Sequence, residues 1–279
     1  MPGRRDPAGR GASRWGPALA GGVLATVLAA AAWPGLASDA SPVAIAPAQS
    51  LLAPGPGHWF GTDQLGRDVL ARVAYGARDS LLLGAGSTAL AAVAGALLGT
   101  VSALGGRWVD AVAMRAADVL LALPPVLLAL LAVTVLGGGT ANAALAIGVA
   151  FAPGYARLVR AETLVVARSG YVEAGVVLGV SRARLVVRHI VPNALGPMLV
   201  LATVGFGSAL IAASGLSFLG LGPQPPSPEW GVMLSEGRSF LDSAWWLGVF
   251  PGAAVTVTAL VVNVLGRRLQ ARVTRRAAP

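Results

Sequence analysis

The chain has no cysteine and no lysine in its 279 residues. Without cysteine it has no disulfide framework, no thiol nucleophile and no thiolate metal site. Without lysine it has no P-loop, because the phosphate grip of GxxxxGK[ST] needs that lysine, so it cannot hydrolyse ATP by that route. Histidine is reduced to His58 and His189, which the assignment below places on opposite sides of a membrane, and they do not make a transition-metal site. Charge is scarce as well, at 12% of residues against 55% hydrophobic. The mean hydropathy of +0.71 is too high for a soluble domain of this length. A net charge of +9 raises the question of nucleic acid. The arginines, however, cluster between long uncharged runs, so the charge reads as membrane orientation, and no nucleic-acid partner is expected.

What the chain has in abundance is uncharged sequence. Residues 1–15 form a basic tail with Arg4, Arg5, Arg10 and Arg14 among glycine and proline. Trp15 to Ser38 carries no charge and is long enough to cross a hydrocarbon core of ~30 Å, so 16–38 is assigned as the first transmembrane helix. A signal peptide cleaved after Gly35-Leu36-Ala37 is the rival reading; the run is long for one, and the arginine-rich tail before it fits the orientation argued below. Residues 39–79 read as an extracytoplasmic connector followed by an interfacial amphipathic helix. In that helix Val69, Leu70, Val73 and Ala74 share a face, and Arg67, Asp68, Arg72 and Arg78 lie mostly elsewhere.

Residues 80–266 supply five more helices. Ser80 to Gly106 is the second span, with Gly95 and Gly99 spaced for close helix approach. Its glycines at 84, 86 and 95 have no preceding strand and make no dinucleotide fingerprint. Residues 105–118 are expected to be a short turn. The uncharged run Val119 to Ala156 exceeds one helix and is split at Gly137-Gly138-Gly139 into spans three and four, with Pro124 and Pro125 kinking span three. A loop at 157–192 precedes span five, Asn193 to Ser217. A proline-rich turn and short helix with Glu229, Glu236, Arg238 and Asp242 follow. Span six, Ser243 to Gly266, begins with Trp245 and Trp246 at headgroup level, and 267–279 form a second basic tail. The expected fold is an all-α integral membrane protein with six transmembrane helices.

Six spans put both ends on one side, and arginine bias chooses the side. The tails, the 105–118 turn and the 157–192 loop hold 17 of the 21 arginines, whereas the opposite segments hold Arg67, Arg72, Arg78 and Arg238. Both termini and the 157–192 loop are therefore expected in the cytoplasm of a multi-pass cell-membrane protein.

A polar and basic stretch in the middle of the chain is Tyr171 to Pro197, YVEAGVVLGVSRARLVVRHIVPNALGP. Val172 to Leu178 suits a short helix that Gly179 can break, since glycine reaches positive φ freely. Ser181 can cap a second helix, Arg182 to His189, and Pro192 suits the mouth of the next span. On physics alone two readings stand: a solvated helix-turn-helix, and a helix pair shaped to fit a groove in a partner.

The spacing of Glu173-Ala174-Gly175, Gly179 and Pro192 resembles the EAA loop of ABC importer membrane subunits. The wording RHIVPNALGP around His189, Pro192 and Asn193 is similar to the C-type membrane subunit of the dipeptide, oligopeptide and nickel permease family. GTDQLGRD followed by YGAR, and LSFLGLG followed by PEWG, match the same family, so the resemblance covers roughly 58–266. The match weakens after Gly266, where Arg267 and Arg268 stand in place of the family's acidic residues.

The resemblance implies a type I importer permease fold whose cytoplasmic coupling helices dock into separate ATPases. Glu173, Ala174, Gly175, Gly179, Ser181, His189 and Pro192 would form the docking loop. Gly61, Thr62, Asp63, Gly66, Arg67 and Asp68 would form an extracytoplasmic motif. Its charged members either touch substrate or its carrier, or cap the helix and pair locally. Implied partners are a second homologous permease, two ATPases, an extracytoplasmic binding protein and membrane lipid. The implied substrate is a di- or oligopeptide, with nickel as the alternative, and neither catalysis nor a cofactor is expected in this chain. A stand-alone secondary transporter or channel competes, but it calls for ionisable residues near mid-membrane, and the centres of the six assigned spans have none.

Overall fold

The computed structural model describes the backbone of residues 15–277 and the side chains of 18–271. Residues 1–14 of the proposed tail and the side chains of Arg272, Arg275 and Arg276 lie outside that range. Nine α-helices occur among the described residues, with no strand: α1 Trp15–Ala32, α2 Val69–Leu104, α3 Arg107–Leu121, α4 Pro125–Leu136, α5 Thr140–Ala167, α6 Gly170–Val177, α7 Arg182–Phe218, α8 Trp230–Gly237 and α9 Trp246–Ala277. By length and hydropathy α2, α5, α7 and α9 can each cross a membrane. The pair α3 and α4 passes that test only as a bent unit, and α1 is a shorter apolar helix over Ala18–Ala32.

α2 is the axis of the molecule. Its buried residues contribute to all three apolar cores: Leu83 with Val133, Ile147 and Leu216; Val69 and Ala77 with Trp230 and Trp246; Ala91 and Ala92 with Tyr155 and Met198. Its tightest neighbour is α5, as the Gly95 and Gly99 spacing implies. A Cβ on Gly95 would lie 2.3 Å from Tyr155 Cβ, and one on Gly99 would lie 2.4 Å from the Ala156 carbonyl, so two backbones meet where no side chain fits.

Several boundaries differ from those expected. α1 stops at Ala32 rather than Ser38, because Pro34 drives Trp33 out of the helical region, to φ −135° and ψ 73°. The expected interfacial helix is the start of α2, and Arg67 and Arg72 turn inward because the carboxylates of Asp63 and Glu236 await them, while Arg78 stays exposed. Residues 107–121 are a helix, not a turn, because Asp110 and Asp118 find arginine partners on α5. Pro124 and Pro125 do more than kink span three: α3 and α4 diverge by 99°, as expected where proline removes a donor and restricts the residue before it. α5 runs on to Ala167, so Arg157 and Arg160 are helical and paired rather than part of a loop.

Nor is there a break at Pro192. The second helix of the polar stretch and span five are one helix, α7. A π turn at Val186–Ile190, in which the Val191 N–H reaches back to the Val186 carbonyl, admits the proline one residue later. Trp246 is likewise turned inward and buried, and only Trp245 is exposed.

Candidate functional site

Two polar regions stand at opposite ends of the helix set. The first is the α6–α7 corner. α6 ends in a glycine cap: the Gly179 N–H donates to the Val176 carbonyl and the Val180 N–H to the Gly175 carbonyl, both at 3.0 Å, with Gly179 at φ +74°. Ser181 stands at the N-cap of α7 with extended backbone, but its hydroxyl makes no capping bond. α6 folds back so closely that a Cβ on Gly175 would lie 2.7 Å from Leu185 Cδ2. Glu173 occupies the first turn of α6, is exposed, and has no hydrogen-bond or ion-pair partner among the described residues. Ala174 and Pro192 are exposed as well. The exposed His189 ring sits edge-on to Tyr171 with 6.5 Å between centroids. The tip of the corner is apolar, with Val177 86% and Leu178 81% exposed.

Beneath the corner, α2, α3 and α5 are tied by charge. The Ser102 hydroxyl donates to Asp110 at 2.5 Å, and the Arg160 guanidinium grips both Asp110 oxygens. Arg157 pairs with Asp118 in the open, where a pair contributes little. None of these pairings was read from the sequence, because each has at least one partner in a segment assigned there to turn or loop.

The second region is built on residues 61–68. Gly61, Thr62, Asp63, Gly66, Arg67 and Asp68 are all buried. Asp63 is the hub. Its Oδ1 accepts from the Leu65 and Arg67 N–H groups, and its Oδ2 accepts from Arg67 Nε and Arg72 Nη1, both at 2.6 Å. Glu236 of α8 closes the cluster, accepting from Arg67 Nη2 at 3.1 Å and Arg72 Nη2 at 2.6 Å. Two cations and two anions thus neutralise one another out of water, with each arginine side chain only 2% exposed.

The surroundings are fitted to this hub. Asp68 caps α2 by accepting from the Ala71 N–H and also meets His58 Nδ1, each at 2.8 Å. Thr62 accepts from the Leu52 N–H and donates to the Gln49 carbonyl, and its own carbonyl accepts from Trp246 Nε1. Gly66, at φ +74°, leaves no room for a Cβ, which would fall 1.9 Å from the Ala46 carbonyl. Close by, Glu229 caps α8 through the Val232 N–H, accepts from Ser80 Oγ, and is fully buried. Burial pushes its carboxyl pKa up.

Of the two readings of Asp63, Arg67 and Asp68, the structure shows capping and pairing. The pairing is not only local, because Glu236 comes from far along the chain. That partner was missed: Glu236 was legible as a charge on a short helix, but nothing in a linear pattern couples it to Arg72.

A family model described as binding-protein-dependent transport system inner membrane component matches residues 92–279. That range takes in α4, α5, the α6–α7 corner and α9. The chain belongs to this family. As a binding-protein-dependent permease it is a multi-pass membrane protein, and its relatives cover most of its length. It is 41% identical over 224 residues to the dipeptide transport system permease protein DppC of Alkalihalophilus pseudofirmus, covering 80% of this chain and 74% of that one. It is 43% identical over 216 residues to the probable D,D-dipeptide transport system permease protein DdpC of Escherichia coli, covering 77% and 72%. It is 42% identical over 213 residues to the glutathione transport system permease protein GsiD of Escherichia coli, covering 76% and 70%.

Proposed function

We propose that this permease carries di- or oligopeptides inward as one of two homologous membrane subunits, driven by two separate ATPases and supplied by an extracytoplasmic binding protein. The observation that carries the substrate class is similarity over about three quarters of the chain to permeases named for dipeptide, D,D-dipeptide and glutathione transport. The nickel alternative has no observation in its favour.

In this reading the chain spans the membrane six times, with α1, α2, α4, α5, α7 and α9 as the crossings and α3, bent 99° from α4, leading into the third of them along the membrane face. Both termini and the α6–α7 corner face the cytoplasm. The arginine distribution supports that orientation, and so does the buried ion cluster: Arg67 and Arg72 are neutralised internally, so the outer face presents less positive charge than its sequence count. The corner is the coupling element. Its exposed Val177 and Leu178 offer an apolar knuckle to an ATPase groove, and Gly179 sets the direction in which that knuckle points.

ATP hydrolysis is assigned to the partner subunits. Proteoliposomes containing this chain with its neighbouring permease, ATPase and binding-protein gene products should accumulate labelled dipeptide only with internal ATP. Accumulation of nickel without peptide would overturn the substrate class, and uptake by the chain alone would overturn the subunit reading.

A further inference from the structure

α3 is a helix with two faces and only one of them is occupied by protein. Asp110, Met114 and Ala117 turn toward α2 and α5, and both acidic side chains of the helix are already engaged by Arg160 and Arg157. On the other side Trp108, Ala111, Val112, Arg115, Ala116 and Val119 line a shallow open groove. Trp108 is 76%, Val112 69% and Val119 63% exposed. The remaining charge on the helix is basic. Arg107 lies over the Trp108 ring at 5.4 Å, and the exposed Arg115 has no hydrogen-bond or ion-pair partner among the described residues.

The placement of the helix matters as much as its pattern. α4 packs along α5 as one arm of a hairpin. If α5 crosses the bilayer, a helix bent 99° from α4 lies roughly in the plane of the membrane. The exposed apolar stripe then continues into Leu123 of the connection and Val126 and Leu127 of α4, which are also exposed. A helix lying at the interface with an aromatic and aliphatic stripe edged by arginines combines acyl-chain contact with headgroup attraction.

We propose that this face of α3 is a binding site for an anionic phospholipid. Arg107 and Arg115 would bind the headgroup phosphate, with the acyl chains against Trp108, Val112 and Val119. Arginine suits this role because its planar fork pairs bidentately with phosphate oxygens. Charge complementarity selects the occupant: with Asp110 and Asp118 held by α5, the face is purely cationic and apolar. The inference needs only that the chain sits in a bilayer, so its failure leaves peptide import standing, and uptake reads that separately.

The test uses the full chain in nanodiscs containing brominated phosphatidylglycerol or, in equal amount, brominated phosphatidylcholine. Subtracting the fluorescence of Trp108→Phe isolates the signal of Trp108. That signal should be quenched more strongly by the anionic lipid, and added salt should weaken the preference. Arg107→Gln and Arg115→Gln should each lower it about fivefold, whereas Arg115→Lys should keep most of it. An unchanged melting temperature shows that the variants are folded, and the wild-type salt dependence needs no variant. Equal quenching by both lipids would overturn the proposal. So would an unquenched Trp108 in the assembled complex, which would mean that a protein partner covers the face.

Discussion

Arg67 and Arg72 are tolerated in the interior because two carboxylates meet them there, and the cluster has no spare anion. Removing one acid therefore does more than delete a contact, since it leaves a guanidinium charge buried and uncompensated. Glu236→Ala should destabilise the protein by about 3–5 kcal/mol, read as a lowered melting temperature in detergent. Asp63→Ala should cost at least as much, because the same carboxylate also ties the Leu65 and Arg67 N–H groups. Glu229 behaves in the opposite way. Its pKa is raised above its ordinary value of 4.5 by burial, so the folded state favours the protonated form. Stability should then be greatest below the unfolded value and should fall as pH rises through the window up to the raised folded pKa. Glu229→Gln keeps an acceptor for the Val232 N–H and an amide to meet Ser80 Oγ. It should flatten that part of the pH–stability profile without lowering the melting temperature at neutral pH, and a lowered one would show that the carboxylate is needed ionised.

The α6–α7 corner is the element on which energy coupling would turn, and its shape depends on a backbone that only glycine adopts without strain. Gly179→Val would impose roughly 1–3 kcal/mol of strain at φ +74°, although no atom stands in the way of the new side chain. Membrane insertion and binding-protein capture should survive, while co-purification of the ATPases and uptake fall sharply. Glu173→Ala should have the same effect more mildly, because its charge in the first turn contributes at most about 1 kcal/mol. Wild-type ATPase yield and uptake for Gly179→Val would show that the corner does not dock.

The turn of this corner was legible in the sequence, because Gly179 and short apolar runs act through neighbours one to five residues away, although the expected Ser181 capping bond is not made. What was hidden lay across the chain. Arg157 and Arg160 look like loop charges until α3 brings Asp118 and Asp110 beside them, and Pro192 looks like a helix start until a π turn accommodates it. Residues 105–118 read as a turn because their polar residues were counted and their pairing could not be.

At the scale of the whole molecule, the alternation of ends is testable without background, because the chain has no native cysteine. Ala48→Cys and Gly138→Cys, both at exposed sites, should react with impermeant thiol reagents in intact cells. Ser181→Cys should react only after lysis. Labelling of position 181 from outside would reverse the orientation and with it the cytoplasmic coupling corner.

The unbroken length of α2 has a mechanical consequence. Its first turn carries Arg72, locked into the ion cluster, and its last carries Ser102, bonded to Asp110 of α3. At ~1.5 Å per residue, its 36 residues form a rod longer than a hydrocarbon layer of ~30 Å. A rod that pivots near its middle moves its two ends in opposite directions. Any tilt forced on α2 at one mouth must therefore reappear, reversed, at the other, so a single stiff helix can widen one entrance while it narrows the opposite one.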